Sequence, residues 1–118
     1  MMRVKTGYTR RRRHKKILRE TRGYYGDKSR RWRRAHEAWM RSGAFAYAHR
    51  KDKKGDFRRL WIARINAATR PFGLSYSRFM CGLSRAGVNL NRKILADLAV
   101  REPEAIAELA RVAKEALG

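Results

Sequence analysis

Lysine and arginine are packed so densely into the front of this chain that residues 1–59 cannot be expected to collapse unaided. That half holds 22 of them against 5 Asp or Glu, a net +17, while residues 60–118 hold 9 against 5, a net +4. A segment that repels itself this strongly stays compact only beside a polyanion, whose phosphates neutralise it and whose counterions are released on contact. Nucleic-acid binding is therefore the first function class to consider.

The chain's 118 residues leave room for a small domain plus an extension. Leu, Ile and Val gather from Leu60 onward, so a core of about 60 residues is expected, near the lower limit for independent stability. Cys81 is the only cysteine, which rules out an internal disulfide and fits a reducing, cytoplasmic setting. No apolar run approaches the roughly 20 residues that cross a bilayer, so no membrane partner is expected. The stretch from Arg3 to Arg22 shares its basic, acid-poor character with organelle transit peptides, but it has no recurring apolar face.

Spacing predicts an all-α protein: a long basic N-terminal helical extension over 1–59, then a small globular helical domain over 60–118. Residues 1–9 read as an extended arm, and Arg10 to Arg22 as a short helix that forms once its charge is neutralised. The glycines of Gly23-Tyr24-Tyr25-Gly26 predict a bend, after which Asp27 or Ser29 can cap the next helix. From Ser29 to Arg70 no proline intervenes, and steps of three and four join Trp32, Ala35, Trp39, Gly43 and Ala46, then Phe57, Leu60 or Trp61, Ile65 and Ala68. Such a helix would be about 60 Å long if unbroken, with His49 to Asp56 polar all round and Gly55 the expected place for bending or fraying.

Arg70-Pro71-Phe72-Gly73 should end that helix. Three short helices are expected beyond it: one from Ser75 to about Ala86 with Gly87 closing it, one from Asn91 to about Val100, and one from Pro103 to Leu117. Leu90 and Leu95 are spaced as a hydrophobic staple across the cap at Asn91. The expected core comprises Leu60, Trp61, Ile65, Phe72, Leu74, Phe79, Leu83, Val88, Ile94, Leu95, Leu98, Ile106, Leu109 and Val112.

The run Arg10, Arg11, Arg12, Arg13, His14, Lys15, Lys16 places guanidinium and ammonium groups where successive phosphates could meet them. A localisation signal would not require basic density to continue for dozens of residues, through Arg22, Lys28, Arg30, Arg34, Arg50, Lys51 and Lys54, or to begin as early as Arg3 and Lys5. Arg78 and Lys93 extend the candidate phosphate contacts into the second half. Aromatic rings at Tyr8, Tyr24, Tyr25, Trp32, Trp39, Tyr47 and Phe57 are interleaved with the charge, as in proteins that stack on unpaired bases. Packing is the expected role of Trp32 and Trp39, seven apart, whereas Tyr24 and Tyr25 on their glycine-flanked bend point to RNA.

Catalysis has little support. The carboxylates Glu20, Asp27, Glu37, Asp52 and Asp56 are scattered among cations, where ion pairing is their expected fate, with Glu37 and Arg41 in the favourable i,i+4 order. No phosphate-loop, nucleophile-elbow or paired-Cys motif occurs, and His14, His36 and His49 lack metal-site spacing, so no cofactor or metal is expected. Charge alone would serve a DNA-coating architectural protein equally well.

Particular strings decide between these classes. Arg13-His14-Lys15-Lys16-Ile17-Leu18, Gly23-Tyr24-Tyr25-Gly26, the block from Phe57 through Leu60-Trp61-Ile62-Ala63-Arg64-Ile65-Asn66 to Ala68, Leu74-Ser75-Tyr76-Ser77 and the segment Arg92 to Ala99 resemble, in order, the bacterial large-subunit ribosomal protein L-twenty family. The resemblance implies a structural protein of the ribosome, bacterial or organellar, whose helical extension threads large-subunit rRNA and which supports early subunit assembly. It further implies neighbouring large-subunit proteins and, as in some bacteria, the protein's own mRNA leader as partners, with no homo-oligomer. Carried over by matching position, it implies RNA contact at Arg13, His14, Lys15, Lys16, Tyr24, Tyr25, Arg58, Arg59, Arg64, Asn66, Arg70, Tyr76, Ser77 and Arg92. Asp52 and Gly55 depart from a stretch that the family keeps more uniformly basic.

Overall fold

Glycine, proline and short polar side chains set the helix ends of this chain, and in the computed structural model, which describes residues 2–118, they do so at nearly every boundary. Among the described residues there are five α-helices and no strand: α1 Gly7–Glu20, α2 Trp32–Thr69, α3 Tyr76–Arg85, α4 Arg92–Arg101 and α5 Pro103–Leu117. Two compact units divide at Lys51 and Asp52, inside α2.

In the unit that runs to Lys51, α1 begins at Gly7, three residues before the basic run, so the expected arm is helical from that point. Met1 lies outside the described residues. The shift has a local cause: the Thr6 carbonyl accepts from the Arg10 amide at 3.0 Å, and the Arg12 guanidinium lies 5.7 Å from the Tyr8 ring centroid, so the Tyr8 turn joins the helix. The helix closes at Thr21, whose buried hydroxyl donates to the carbonyl of Ile17 at 3.2 Å. Gly23 and Gly26 then adopt φ of 87° and 64°, which side chains with a Cβ rarely tolerate, and the chain reverses through a single 3-10 turn, Gly26–Ser29. Ser29 does not cap α2: its hydroxyl donates to the Gly26 carbonyl at 3.0 Å, and Asp27 instead pairs with Arg31 at 3.7 Å.

Helix α2 is unbroken for 38 residues, passing through both Gly43 and Gly55, so the fraying expected at Gly55 is absent from the backbone hydrogen bonding. Every residue from Trp39 to Leu60 is exposed. Leu60 is therefore not part of the core, being 42 % exposed, and Trp61, one position on, takes its place.

In the unit that starts at Asp52, α2 ends in a 3-10 turn, Arg70–Phe72, with Gly73 left-handed at φ 77°. Ser75 caps α3, accepting the Arg78 amide, and α3 stops in a glycine reversal where the Val88 amide reaches the Leu83 carbonyl (2.9 Å) and the Gly87 amide reaches that of Ser84 (3.1 Å). Asn91 caps α4 by accepting the Ile94 amide at 2.9 Å, and Pro103 opens α5 as expected. The core is built from Ile65, Leu74, Phe79, Leu83, Leu95, Ala96, Ala110 and Ala113, with Trp61, Phe72, Tyr76 and Leu90 packed on it. Each large side chain fully buried there contributes about 1.5–3 kcal/mol. Ile94, placed in the core by its spacing, is 45 % exposed because the first turn of α4 presents Leu95 inward instead. Periodicity also passes over Gly82, Ala96, Ala110 and Ala113, small residues that allow close helix contact: a Cβ at Gly82 would lie 2.6 Å from the Ala113 carbonyl oxygen.

Candidate nucleic-acid interface

One face of α1 is spent on protein. His14, Ile17, Leu18 and Thr21 are joined by the steps of three and four of a helical stripe, and they are the residues of α1 and its cap that lose exposure. His14 stacks on Trp32 with ring centroids 4.5 Å apart, Trp32 stacks on His36 at 4.7 Å, and His36 continues to Trp39 at 5.9 Å. The Trp39 indole N–H donates to the Glu20 carboxylate, and the hydroxyls of Tyr24 and Ser42 share a hydrogen bond of 3.1 Å. These contacts clasp α1 and the bend onto the start of α2.

The clasp changes how several candidate residues read. His14 stacks on Trp32, Trp32 also stacks on His36, and the Tyr24 hydroxyl is engaged. Packing thus accounts for Trp32, as its spacing predicts. Tyr25 is 94 % exposed and keeps its ring free. His36, Glu20 and Ser42 join the clasp from outside the candidate site residues, and the i,i+4 and i,i+3 steps from Trp32 to His36 to Trp39 carry the signal for the first of them.

The opposite side of α1 is uncovered. Thr9, Arg12, Arg13, Lys15, Lys16 and Arg19 line an open groove along it, without a carboxylate. Arg3, Lys5, Arg10, Arg11, Arg22, Lys28 and Arg30 are likewise exposed. Along α2, Arg50, Lys51, Lys54, Arg58 and Arg64 project into solvent, as does Arg70 in the 3-10 turn that follows. Exposed ion pairs join Arg34 to Glu37 and Arg59 to Asp56, both at 3.8 Å, and each is worth at most about 1 kcal/mol, too little to withhold either guanidinium from a phosphate. Glu37 therefore pairs one turn back with Arg34 rather than forward with Arg41. Lys51 lies 4.9 Å from the Tyr47 ring centroid, an arrangement that leaves the ammonium open to solvent.

In the second unit, Ser77, Arg78 and Lys93 are exposed in the first turns of α3 and α4, and Asn66 is half-buried on α2. Tyr76 and Arg92 meet directly: the guanidinium Nε donates to the phenol oxygen at 2.5 Å. All five carboxylates after residue 60, from Asp97 to Glu115, belong to α4, α5 and their junction.

The family described as Ribosomal protein L20 matches residues 3–109, nine-tenths of the sequence and all but the last turns of α5. The chain belongs to the ribosomal protein L20 family. Curated L20 relatives share its length as well as its sequence. The large ribosomal subunit protein bL20 of Moorella thermoacetica is 55 % identical over 118 residues, covering 100 % of this chain and 98 % of its own. Those of Caldanaerobacter subterraneus subsp. tengcongensis and Finegoldia magna are 54 % and 55 % identical over 117 residues, covering 99 % of this chain and 98 % and 100 % of their own. L20 proteins are structural rather than enzymatic, which agrees with the absence of a catalytic constellation in the sequence. No described helix is long and apolar enough to cross a membrane.

Proposed function

We propose that this protein is a structural component of the bacterial large ribosomal subunit that binds large-subunit rRNA directly and supports early subunit assembly. The observation that carries the reading is the uncovered basic side of α1, continued by the exposed cations of α2, in a chain of the L20 family. Folding neutralises almost none of that charge, so it is available to cancel repulsion between phosphates that a compacting RNA brings together. Arg3, Lys5, Arg10 to Arg13, Lys15, Lys16, Arg22, Lys28, Arg30, Arg34, Arg50, Lys51, Lys54, Arg58 and Arg59 are the proposed phosphate contacts of the extension. Tyr25 is proposed to stack on an unpaired base. Arg64, Asn66, Arg70, Tyr76, Ser77, Arg78, Arg92 and Lys93 are proposed to seat the second unit on a defined RNA site. A folded mRNA leader that imitates that site would be held by the same residues.

The test is discrimination. The full chain should bind a large-subunit rRNA transcript far more tightly than a scrambled RNA of equal length at moderate salt, and should cosediment with large subunits from lysate. Equal affinity for both RNAs, or recovery with the nucleoid after ribosomes are removed, would favour a DNA-coating role instead.

A further inference from the structure

We propose that Tyr76 is a positioning residue for Arg92, holding its guanidinium ready for an RNA phosphate; the proposal rests on the ribosomal reading above. Tyr76 is the first residue of α3 and Arg92 the first of α4, sixteen positions apart and joined by the Nε–H to phenol oxygen bond. The Tyr76 ring packs against the core of the second unit, so the hydroxyl is a fixed acceptor anchored by buried side chains. Nε is the inner donor of the guanidinium. Bonding there fixes the plane of the group and leaves the outer Nη hydrogens unspent, and these are the donors that fork onto a phosphate.

The choice of acceptor matters. A carboxylate would orient Arg92 equally well but would cancel its charge, whereas a neutral phenol orients it and keeps the full positive charge for a ligand. Among the described residues no carboxylate pairs with Arg92, and Asp97, the acidic residue of α4, pairs with Arg101 at 3.1 Å. The setting also opposes the fold's own interest. The first turns of α3 and α4 contain no acidic residue but hold Arg78, Arg92 and Lys93, cations at the ends where the helix dipole disfavours them. α5 follows the usual preference with Glu104 in its first turn. Cations kept where they cost stability, one of them held by a neutral anchor, fit a surface matched to an anion.

A double-mutant cycle on the full chain tests this, with a large-subunit rRNA transcript and a scrambled RNA as probes and binding measured across a salt series. Tyr76→Phe keeps the ring and its packing but removes the acceptor. It should weaken rRNA binding about three- to tenfold, the cost of ordering a freed arginine side chain, and leave the salt slope unchanged because no charge is lost. Arg92→Ala should weaken binding and flatten the log–log slope by about 0.7–0.9. The double variant should bind no worse than Arg92→Ala alone. Silence of Tyr76→Phe would overturn the proposal. So would a Tyr76→Phe loss that persists in the Arg92→Ala background, since the hydroxyl would then act on RNA or on folding by itself; thermal midpoints recorded alongside separate those two. A wild-type chain that bound both RNAs equally would sink the ribosomal reading, yet the cycle would still decide the pairing, because it can be read on either probe.

Discussion

Replacing Gly82 with alanine sets two physical effects against each other, and the structure says which wins. Gly82 lies inside α3 with ordinary helical backbone, so intrinsic propensity alone favours alanine there by up to about 1 kcal/mol. A Cβ built at that position would sit 2.6 Å from the Ala113 carbonyl oxygen, 2.7 Å from its Cβ and 2.8 Å from its Cα. Two of those atoms are backbone and cannot rotate aside, so α3 and α5 must separate along their shared contact. Overpacking of this kind costs about 1–3 kcal/mol, and a rigid partner puts it at the upper end. The net expectation is a loss of about 1–2 kcal/mol, which for a unit of this size lowers the melting midpoint by about 5–15 °C. Circular dichroism melts and urea titrations of the full chain measure it. Gly55→Ala is the control: nothing lies within 4 Å of its Cβ, so propensity acts alone and helicity should rise. Adding Ala113→Gly to Gly82→Ala should recover part of the loss, because the methyl contact goes while the carbonyl contact stays. A midpoint for Gly82→Ala equal to or above that of the parent protein would refute the reasoning, since propensity would then outweigh packing.

Four further outcomes are expected. Among the described residues up to Lys51, only Thr21 and Ala35 are buried, so the extension should lose helix in dilute low-salt buffer and regain it when rRNA is added; full helicity without RNA by circular dichroism would contradict this. Trp32→Ala removes the ring that stacks on His14 and on His36, contacts worth about 0.5–1.5 kcal/mol each, and should raise hydrogen exchange at Ile17 and Leu18 while leaving protection at Phe79 and Leu95 unmoved. Asn91→Ala deletes the acceptor for the Ile94 amide and should destabilise the second unit by about 1 kcal/mol in urea titration. Lys15→Ala should weaken binding to every RNA alike and flatten the salt slope by about 0.7–0.9, whereas Arg64→Ala or Asn66→Ala should narrow the gap between rRNA and scrambled RNA; an unchanged gap for both would remove those two residues from the specific site.

The amino-acid order by itself determined what depends on a few adjacent residues or on their sum. The charge imbalance needs no coordinates, and Pro71, Gly73, Gly87, Asn91 and Pro103 each act within one turn of helix, so the ends of α3, α4 and α5 were legible. The strings around Arg13 to Leu18 and Leu60 to Ala68 carried the family in the same way. Only the tertiary structure decided which side chains are consumed in holding the protein together and which stay uncovered. His14 is spent on Trp32, Glu20 on Trp39 and Tyr24 on Ser42, while Tyr76 lends its oxygen to Arg92; these partners stand 16 to 19 positions apart. The same holds for Gly82 against Ala113, and for Trp61 displacing Leu60 from the core. A helical period tells which residues share a face, but the rotation of that face toward a partner is set by the fit between helices, and that fit involves both sequences at once.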